Sequence, residues 1–330
     1  MKLAFSLLLF TVSAFAASPC LSTATCTDWV TLAGGPWRGK VYTTYPLNVK
    51  NPQITRAFIM VHGTNRDADN YFRTAIAAAF LGSALEDTIV IAPRIASAAG
   101  NCHDHLDPDE VSWSCSGDSW RSGGTSASTD KLTSFDFVDE LLRKLAKRDS
   151  FPNLKSIVVA GHSAGGQYVN RYSMANQVHD KLGLPITYVV ANPSSYAWLD
   201  ATRPNADASM FTAFAGADKC PNYDRWPYGM ENRTGGYTAK MSVDQLKKQL
   251  ASRPVTYLLG EIDILPLGGF DSSCSAMAQG PTRRARGEAF AKFVNQKIGA
   301  KHNMQIVHLC GHNARCMFTD EATLPLIFPK

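Results

Sequence analysis

The segment that most constrains this chain reads Ser156-Ile157-Val158-Val159-Ala160-Gly161-His162-Ser163-Ala164-Gly165-Gly166. Its β-branched start, Ile157 to Val159, has the character of a short buried strand. It passes directly into Gly161-His162-Ser163-Ala164-Gly165, a G-x-S-x-G match. Tyr168, Val169, Tyr172 and Met174 then recur at roughly helical spacing. A strand, a sharp turn and a helix in that order hold the residue at the turn in a strained backbone conformation, with its side chain at the helix N-terminus. Here that residue is Ser163. Glycines two places before and after it let strand and helix approach closely. The free N–H groups of the first helical turn can stabilise an oxyanion that develops beside the hydroxyl. Ser163 is thus a candidate nucleophile. The plain alternative is a tight turn with an incidental serine.

The rest of the chain repeats the same alternation. Apolar runs at residues 56–61, 88–93, 185–191, 254–260 and 304–309 read as strands, the first of them buried on both faces. Amphipathic stretches at residues 69–85, 133–148, 242–250 and 284–298 read as helices between them. This predicts an α/β fold, a mainly parallel sheet with helices on both faces. Residues 40–45 alternate like an early antiparallel strand. No internal repeat, low-complexity tract or linker interrupts the pattern. One domain is expected over residues 17–330, with loop insertions near residues 97–128 and 220–237. Loops of that length in a compact domain are usually functional or disordered, and the cysteines and tryptophans of the first argue for order.

Residues 1–16 have the order of a secretory signal: Lys2, an apolar core from Leu3 to Phe10, and the small-x-small site Ala14-Phe15-Ala16. The mature chain is therefore expected to be exported, to the periplasm or beyond. No later stretch reaches membrane-spanning length, so no membrane partner is expected. Lysine and arginine (33) exceed aspartate and glutamate (28) by too little to argue for nucleic acid, and no basic stripe interleaves with aromatics.

Eight cysteines, all beyond the signal, fit an oxidising compartment. Proximity suggests the pairs Cys20–Cys26, Cys102–Cys115 and Cys310–Cys316, which leaves Cys220 with Cys274; other connectivities stay open. No C-x-x-C pair is present, which argues against structural zinc. His103 and His105 with neighbouring acids could ligate a metal, but an acidic loop pinned by a disulfide is the simpler reading. No metal and no cofactor are expected. Asn232-Arg233-Thr234 is an N-glycosylation sequon, meaningful only in a eukaryotic host.

In open α/β sheets, ligands bind beyond the carboxyl ends of the strands. Ser163, Asp263 and His312 each follow such an end. A serine hydroxyl needs a histidine to take its proton and return it to the leaving group. That histidine needs a carboxylate to hold its tautomer and stabilise its cation. Among the rivals, His308 is expected inside the last strand, His302 on the surface, His179 in a polar turn, and His162 fixed by the elbow. Asp218 and Glu261 are the rival acids. The oxyanion donors are expected at the backbone of Ala164 and Thr64, with Asn65 next and His62 bracing the loop. Trp120, Tyr196 and Trp226 lie in or near loops and are candidates for lining a substrate cleft. Arg283, Arg284 and Arg286 read as solvated surface.

His62-Gly63, the box Gly161-His162-Ser163-Ala164-Gly165-Gly166, Asp263 after its strand and the closing Gly311-His312 occur in the order expected of an α/β-hydrolase. Across residues 56–312 the chain resembles secreted serine esterases of that superfamily, most of all the polyhydroxyalkanoate depolymerase-like and feruloyl-esterase-like proteins. The resemblance implies the α/β-hydrolase fold and a serine hydrolase that cleaves carboxylic esters, small or polymeric, through an acyl-enzyme. The added binding domain that many such depolymerases carry is not found. Two alternatives remain at this point: a peptidase, amidase or polyamide hydrolase with the same triad, and a non-catalytic binding protein on a hydrolase scaffold. Oligomeric state is not legible.

Overall fold

The computed structural model describes residues 17–32, 35–115 and 119–329. The expected signal over residues 1–16 lies outside them. Ten strands are present among the described residues: β1 (Thr27–Thr31), β2 (Arg38–Thr43), β3 (Arg56–Val61), β4 (Thr88–Pro93), β5 (Ser156–His162), β6 (Ile186–Ala191), β7 (Thr202–Pro204), β8 (Phe211–Ala213), β9 (Val255–Gly260) and β10 (Asn303–Val307). Eight of them form one sheet in the order β1-β2-β4-β3-β5-β6-β9-β10. From β4 to β10 every neighbouring pair is parallel, and β1 and β2 add an antiparallel edge. β7 and β8 pair separately. The short β1, β7 and β8 carry too little periodicity to be predicted.

Helices α1 (Ala68–Leu81), α2 (Ser134–Leu145), α3 (Ala164–Ala175), α4 (Val243–Ser252), α5 (Cys274–Met277), α6 (Arg283–Lys297), α7 (Ala314–Thr319) and α8 (Leu324–Ile327) complete the fold. The strand side chains alternate between two helix layers, as a period of two requires. Ile157 and Val159 of β5 share a core with Phe137 of α2, Tyr168 of α3, Leu246 of α4 and Phe290 of α6. Val158 and Ala160 share the opposite core with Phe72 of α1, Phe318 of α7 and Ile327 of α8. Apolar covers on both faces explain why these strands read as unbroken hydrophobic runs. The boundary of α2 is set by a capping box, in which Thr133 and Asp136 satisfy each other's backbone N–H groups.

Both expected insertions are ordered over their described residues. In the first, Cys102 bonds Cys115, and Trp113 stacks on Phe137 with ring planes 8° apart. Asp104 accepts the Ser97 N–H within the loop, and Glu110 pairs with Arg94 just after β4, so both acids are engaged. In the second, Cys220 bonds Cys274 at the start of α5. All four disulfides have the connectivity that proximity suggested.

Register places the site. Val61 pairs with Gly161, His162 with Ala191, and Gly260 with Val307. The carboxyl ends of β3, β5, β6, β9 and β10 thus line up along one rim. The segments that follow them converge there.

Candidate active site

The serine is set by backbone packing. Ser163 lies between β5 and α3 at φ 59° and ψ −118°. Such a conformation costs a non-glycine residue about 1–3 kcal/mol and persists only where its surroundings enforce it. Glycines supply the enforcement. A Cβ on Gly161 would sit 2.3 Å from the Gly165 carbonyl oxygen, one on Gly165 2.2 Å from that of Val61, and one on Gly166 2.5 Å from that of Ala191. No side chain fits at these three positions, so α3 presses directly on β3, β5 and β6.

The acid and the imidazole arrive from the ends of β9 and β10. His312 Nε2 lies 2.9 Å from Ser163 Oγ, and His312 Nδ1 lies 2.8 Å from Asp263 Oδ2. The three groups that the sequence spaces over 150 residues are therefore in hydrogen-bonding contact, with imidazole in the middle. Asp263 is 3% exposed and Ser163 8% exposed. Asn192, at the end of β6, ties the two loops: its amide oxygen accepts the Gly260 N–H at 2.8 Å, and its amide nitrogen donates to the Gly311 carbonyl at 3.1 Å.

The loop after β3 flanks the serine. A Cβ on Gly63 would lie 3.8 Å from Ser163 Cβ. His62 braces this loop: its Nδ1 bonds the Gly63 carbonyl at 2.8 Å, and its Nε2 accepts the Ile95 N–H at 3.1 Å. Burial lowers its pKa to about 4, so it stays neutral. The Thr64 N–H makes no hydrogen bond among the described residues. The Ala164 N–H opens α3, where no intrahelical acceptor exists. Both belong to the segments that border Ser163.

His162 packs beside the site, its ring centroid 4.6 Å from that of His312, and its Nδ1 contacts Tyr71 Oη at 3.2 Å. Burial, then the proximity of His312 and Arg283, holds it well below the usual histidine pKa. It is a neutral neighbour of the His312 ring.

A cavity of about 560 Å³ opens onto Ser163 and His312. Its walls are largely polar: Thr64, Asn65, Asp67, Asn70, Asn313 and Arg315 contribute to it. Arg315 is exposed and has no ion-pair partner among the described residues. Among the described residues no three His, Cys, Asp or Glu side chains gather as a metal site.

Several expectations are corrected here. Trp120, Tyr196 and Trp226 do not line this cavity. Trp120 and Tyr196 are buried, Trp120 against His62 and Tyr168, and Tyr196 stacked on Phe290. Trp226 packs part-buried on the core. Large aromatics gain most when desolvated, and loop position in the sequence did not reveal that these loops fold inward. His302 is buried between Tyr257 Oη and the Leu250 carbonyl rather than on the surface. His308 lies just past β10 and is exposed, paired with Glu261. Glu261 also accepts the Leu309 N–H, so this rival acid braces the histidine loop from outside. Arg283 and Arg286 are buried, not solvated surface. Asn192, Tyr71 and Arg315 also escaped the sequence reading, because nothing in their local context distinguishes them.

The topology and this rim define the α/β-hydrolase fold. A poly(3-hydroxybutyrate) depolymerase from Bordetella parapertussis is similar in structure, with a TM-score of 0.61 over 89% of this chain and 85% of its own, at 21% identity. The poly(aspartic acid) hydrolase-1 of Sphingomonas sp. KT-1 gives 0.58 over 92% and 98%, also at 21% identity. No protein-family model matches the sequence, and no curated protein matches it.

Proposed function

We propose that the protein is an exported serine hydrolase that cleaves carboxylic esters through an acyl-enzyme. One observation carries this reading: the unbroken hydrogen-bonded line Ser163 Oγ, His312 Nε2, His312 Nδ1, Asp263 Oδ2 at the mouth of a cavity. In the proposed reaction the Ser163 oxygen bonds to the ester carbonyl carbon while its proton passes to His312 Nε2. The carbonyl oxygen becomes an oxyanion and accepts hydrogen bonds from the Thr64 and Ala164 N–H groups. The tetrahedral species collapses, the C–O bond to the alcohol breaks, and His312 Nε2 gives its proton to the departing oxygen. Water then attacks the acyl carbon, losing a proton to His312. Collapse releases the carboxylic acid, and Ser163 recovers its proton. Asp263 keeps Nδ1 protonated and stabilises the imidazolium throughout. No cofactor is required by these steps.

The chain as a whole is proposed to be one hydrolase domain over residues 17–330, which the signal over residues 1–16 directs out of the cytoplasm. Four disulfides suit that destination. No helix among the described residues is long and apolar enough to cross a membrane. The proposed partner is an ester substrate, small or polymeric, and neither nucleic acid nor a membrane.

The polar cavity and the unpaired Arg315 favour a second reading in which the substrate is a polar or acidic amide, such as a polyamide. The similarity to a poly(aspartic acid) hydrolase supports keeping it. Matched p-nitrophenyl esters and anilides separate the two, and anilide preference would overturn the esterase reading. For both, Ser163→Ala is expected to reduce turnover by roughly four orders of magnitude or more with the fold retained. A fluorophosphonate probe should label the wild type and not the variant. Unchanged turnover in the variant removes Ser163 from the chemistry, and failure to label the wild type favours a binding protein.

A further inference from the structure

Arg283 is the first residue of α6, and its side chain is 0% exposed. Burying a guanidinium is costly unless its donors are satisfied. Here Nη1 donates to Asp263 Oδ1 at 3.3 Å, on the oxygen that His312 does not use. Nε donates to Ser194 Oγ at 2.8 Å. Nη2 donates to the carbonyls of Leu267 and Gly268 at 2.7 and 2.8 Å. Ser194 Oγ in turn donates to the Gly269 carbonyl at 3.3 Å. The ring of Phe270 covers the outer side, 5.3 Å from the Arg283 guanidinium carbon.

These contacts reach the site at two points. Asp263 orients His312. The carbonyls belong to a loop whose glycines lie close to His312 and Thr64: a Cβ on Gly268 would lie 3.3 Å from His312 Cδ2, and one on Gly269 3.7 Å from Thr64 Cγ2. Both glycines have positive φ, so the loop turns sharply between the imidazole and the loop that carries Thr64. One planar fork therefore grips the acid and the wall against which the imidazole rests. Lysine, whose three donors all radiate from one nitrogen, cannot reproduce that grip.

We propose that Arg283 is a positioning residue that clamps Asp263 and residues 267–269 together, so that His312 is seated between carboxylate and serine only while the clamp holds. The inference rests on the hydrolase reading for its kinetic consequence, but not for its geometry.

The test compares wild type, Arg283→Gln and Arg283→Lys on a p-nitrophenyl ester, with Ser163→Ala as the blank. It also records the low-field proton resonance of His312 Nδ1–H, which reports the bond to Asp263 without turnover. For Arg283→Gln, kcat is expected to fall roughly 100-fold, since a misplacement of about 1 Å costs that much. KM should move less than about threefold, and the resonance should disappear through solvent exchange. Arg283→Lys should lie between, with kcat down about tenfold. Unchanged kcat with the resonance intact in Arg283→Gln overturns the clamp, as does a change confined to KM. If Arg283→Gln does not fold, wild-type kcat and resonance in Arg283→Lys overturn it instead. If turnover survives Ser163→Ala, the hydrolase reading fails, and the resonance alone decides the clamp.

Discussion

Ser163 sits where three glycines bring backbone against backbone, whereas His312 sits in a loop that side chains and a disulfide hold from several directions. On the serine side, the closest enforcing contacts are all to main-chain atoms, of β3, β6 and α3. On the histidine side, Leu309 has φ 53° and is 68% exposed, and the loop is solvated on its outer face. Its position depends on Asn192, Glu261, Asp263 and the Cys310–Cys316 bond. Ser163 is thus fixed by close packing that cannot yield without moving the sheet. His312 is fixed by a set of individually modest bonds. Damage to the first should appear mainly as lost stability, and damage to the second mainly as lost turnover in a folded protein.

The largest effect is expected for Asp263→Asn, measured as kcat on the preferred substrate. The amide would favour the wrong tautomer of His312, and a loss of about four orders of magnitude is expected in the folded protein, together with lower stability because the buried Arg283 guanidinium loses its counter-charge. A loss below tenfold would mean that Asp263 does not orient the base. Gly165→Ala tests the opposite side. Its methyl would meet the Val61 carbonyl oxygen at 2.2 Å, so the loss should appear as stability, about 3 kcal/mol by denaturant titration. Wild-type stability there would break the contrast between the two sides.

The Cys310–Cys316 bond encloses His312 and Arg315 in one short loop, the cysteines being six residues apart. Replacing both by serine is expected to destabilise by about 2 kcal/mol. Because the loop carries His312, the proposed base, kcat at a temperature where the variant is folded should also fall, by about tenfold. Equal kcat would show that Asn192 and Asp263 suffice to seat the ring. The smallest effect is expected for Arg315→Ala: roughly tenfold higher KM for esters with a carboxylate near the scissile bond, and no change for neutral ones. A uniform change would mean that Arg315 shapes the cavity and does not select charge.

The two sides were also unequally legible. The elbow announces itself because its physics is local: strand, turn, helix and small residues are adjacent in sequence, and only glycine fits where Gly161, Gly165 and Gly166 stand. The alternation of apolar runs made the parallel sheet readable, since strands covered on both faces must be hydrophobic on both. Asp263 and His312 could be nominated from their place after strands. Tyr71, Asn192, Arg283 and Arg315 could not. A buried arginine has the same letter as a solvated one, and nothing near Arg283 in the chain hints that a carboxylate and two carbonyls await it.

The sequence by itself determined the α/β alternation, the position of the elbow and which cysteines stand near each other, because each follows from residues that are neighbours along the chain. Tertiary structure alone decided which histidine of several meets Ser163, which aromatics are core rather than cleft, and where the cation of Arg283 is sheltered. Those outcomes depend on strand register, which aligns the ends of β3, β5, β6, β9 and β10 on one rim. A side chain's surroundings there come from residues distant in the chain, 149 positions for His312 and Ser163 and 89 for Arg283 and Ser194, and no local pattern encodes them.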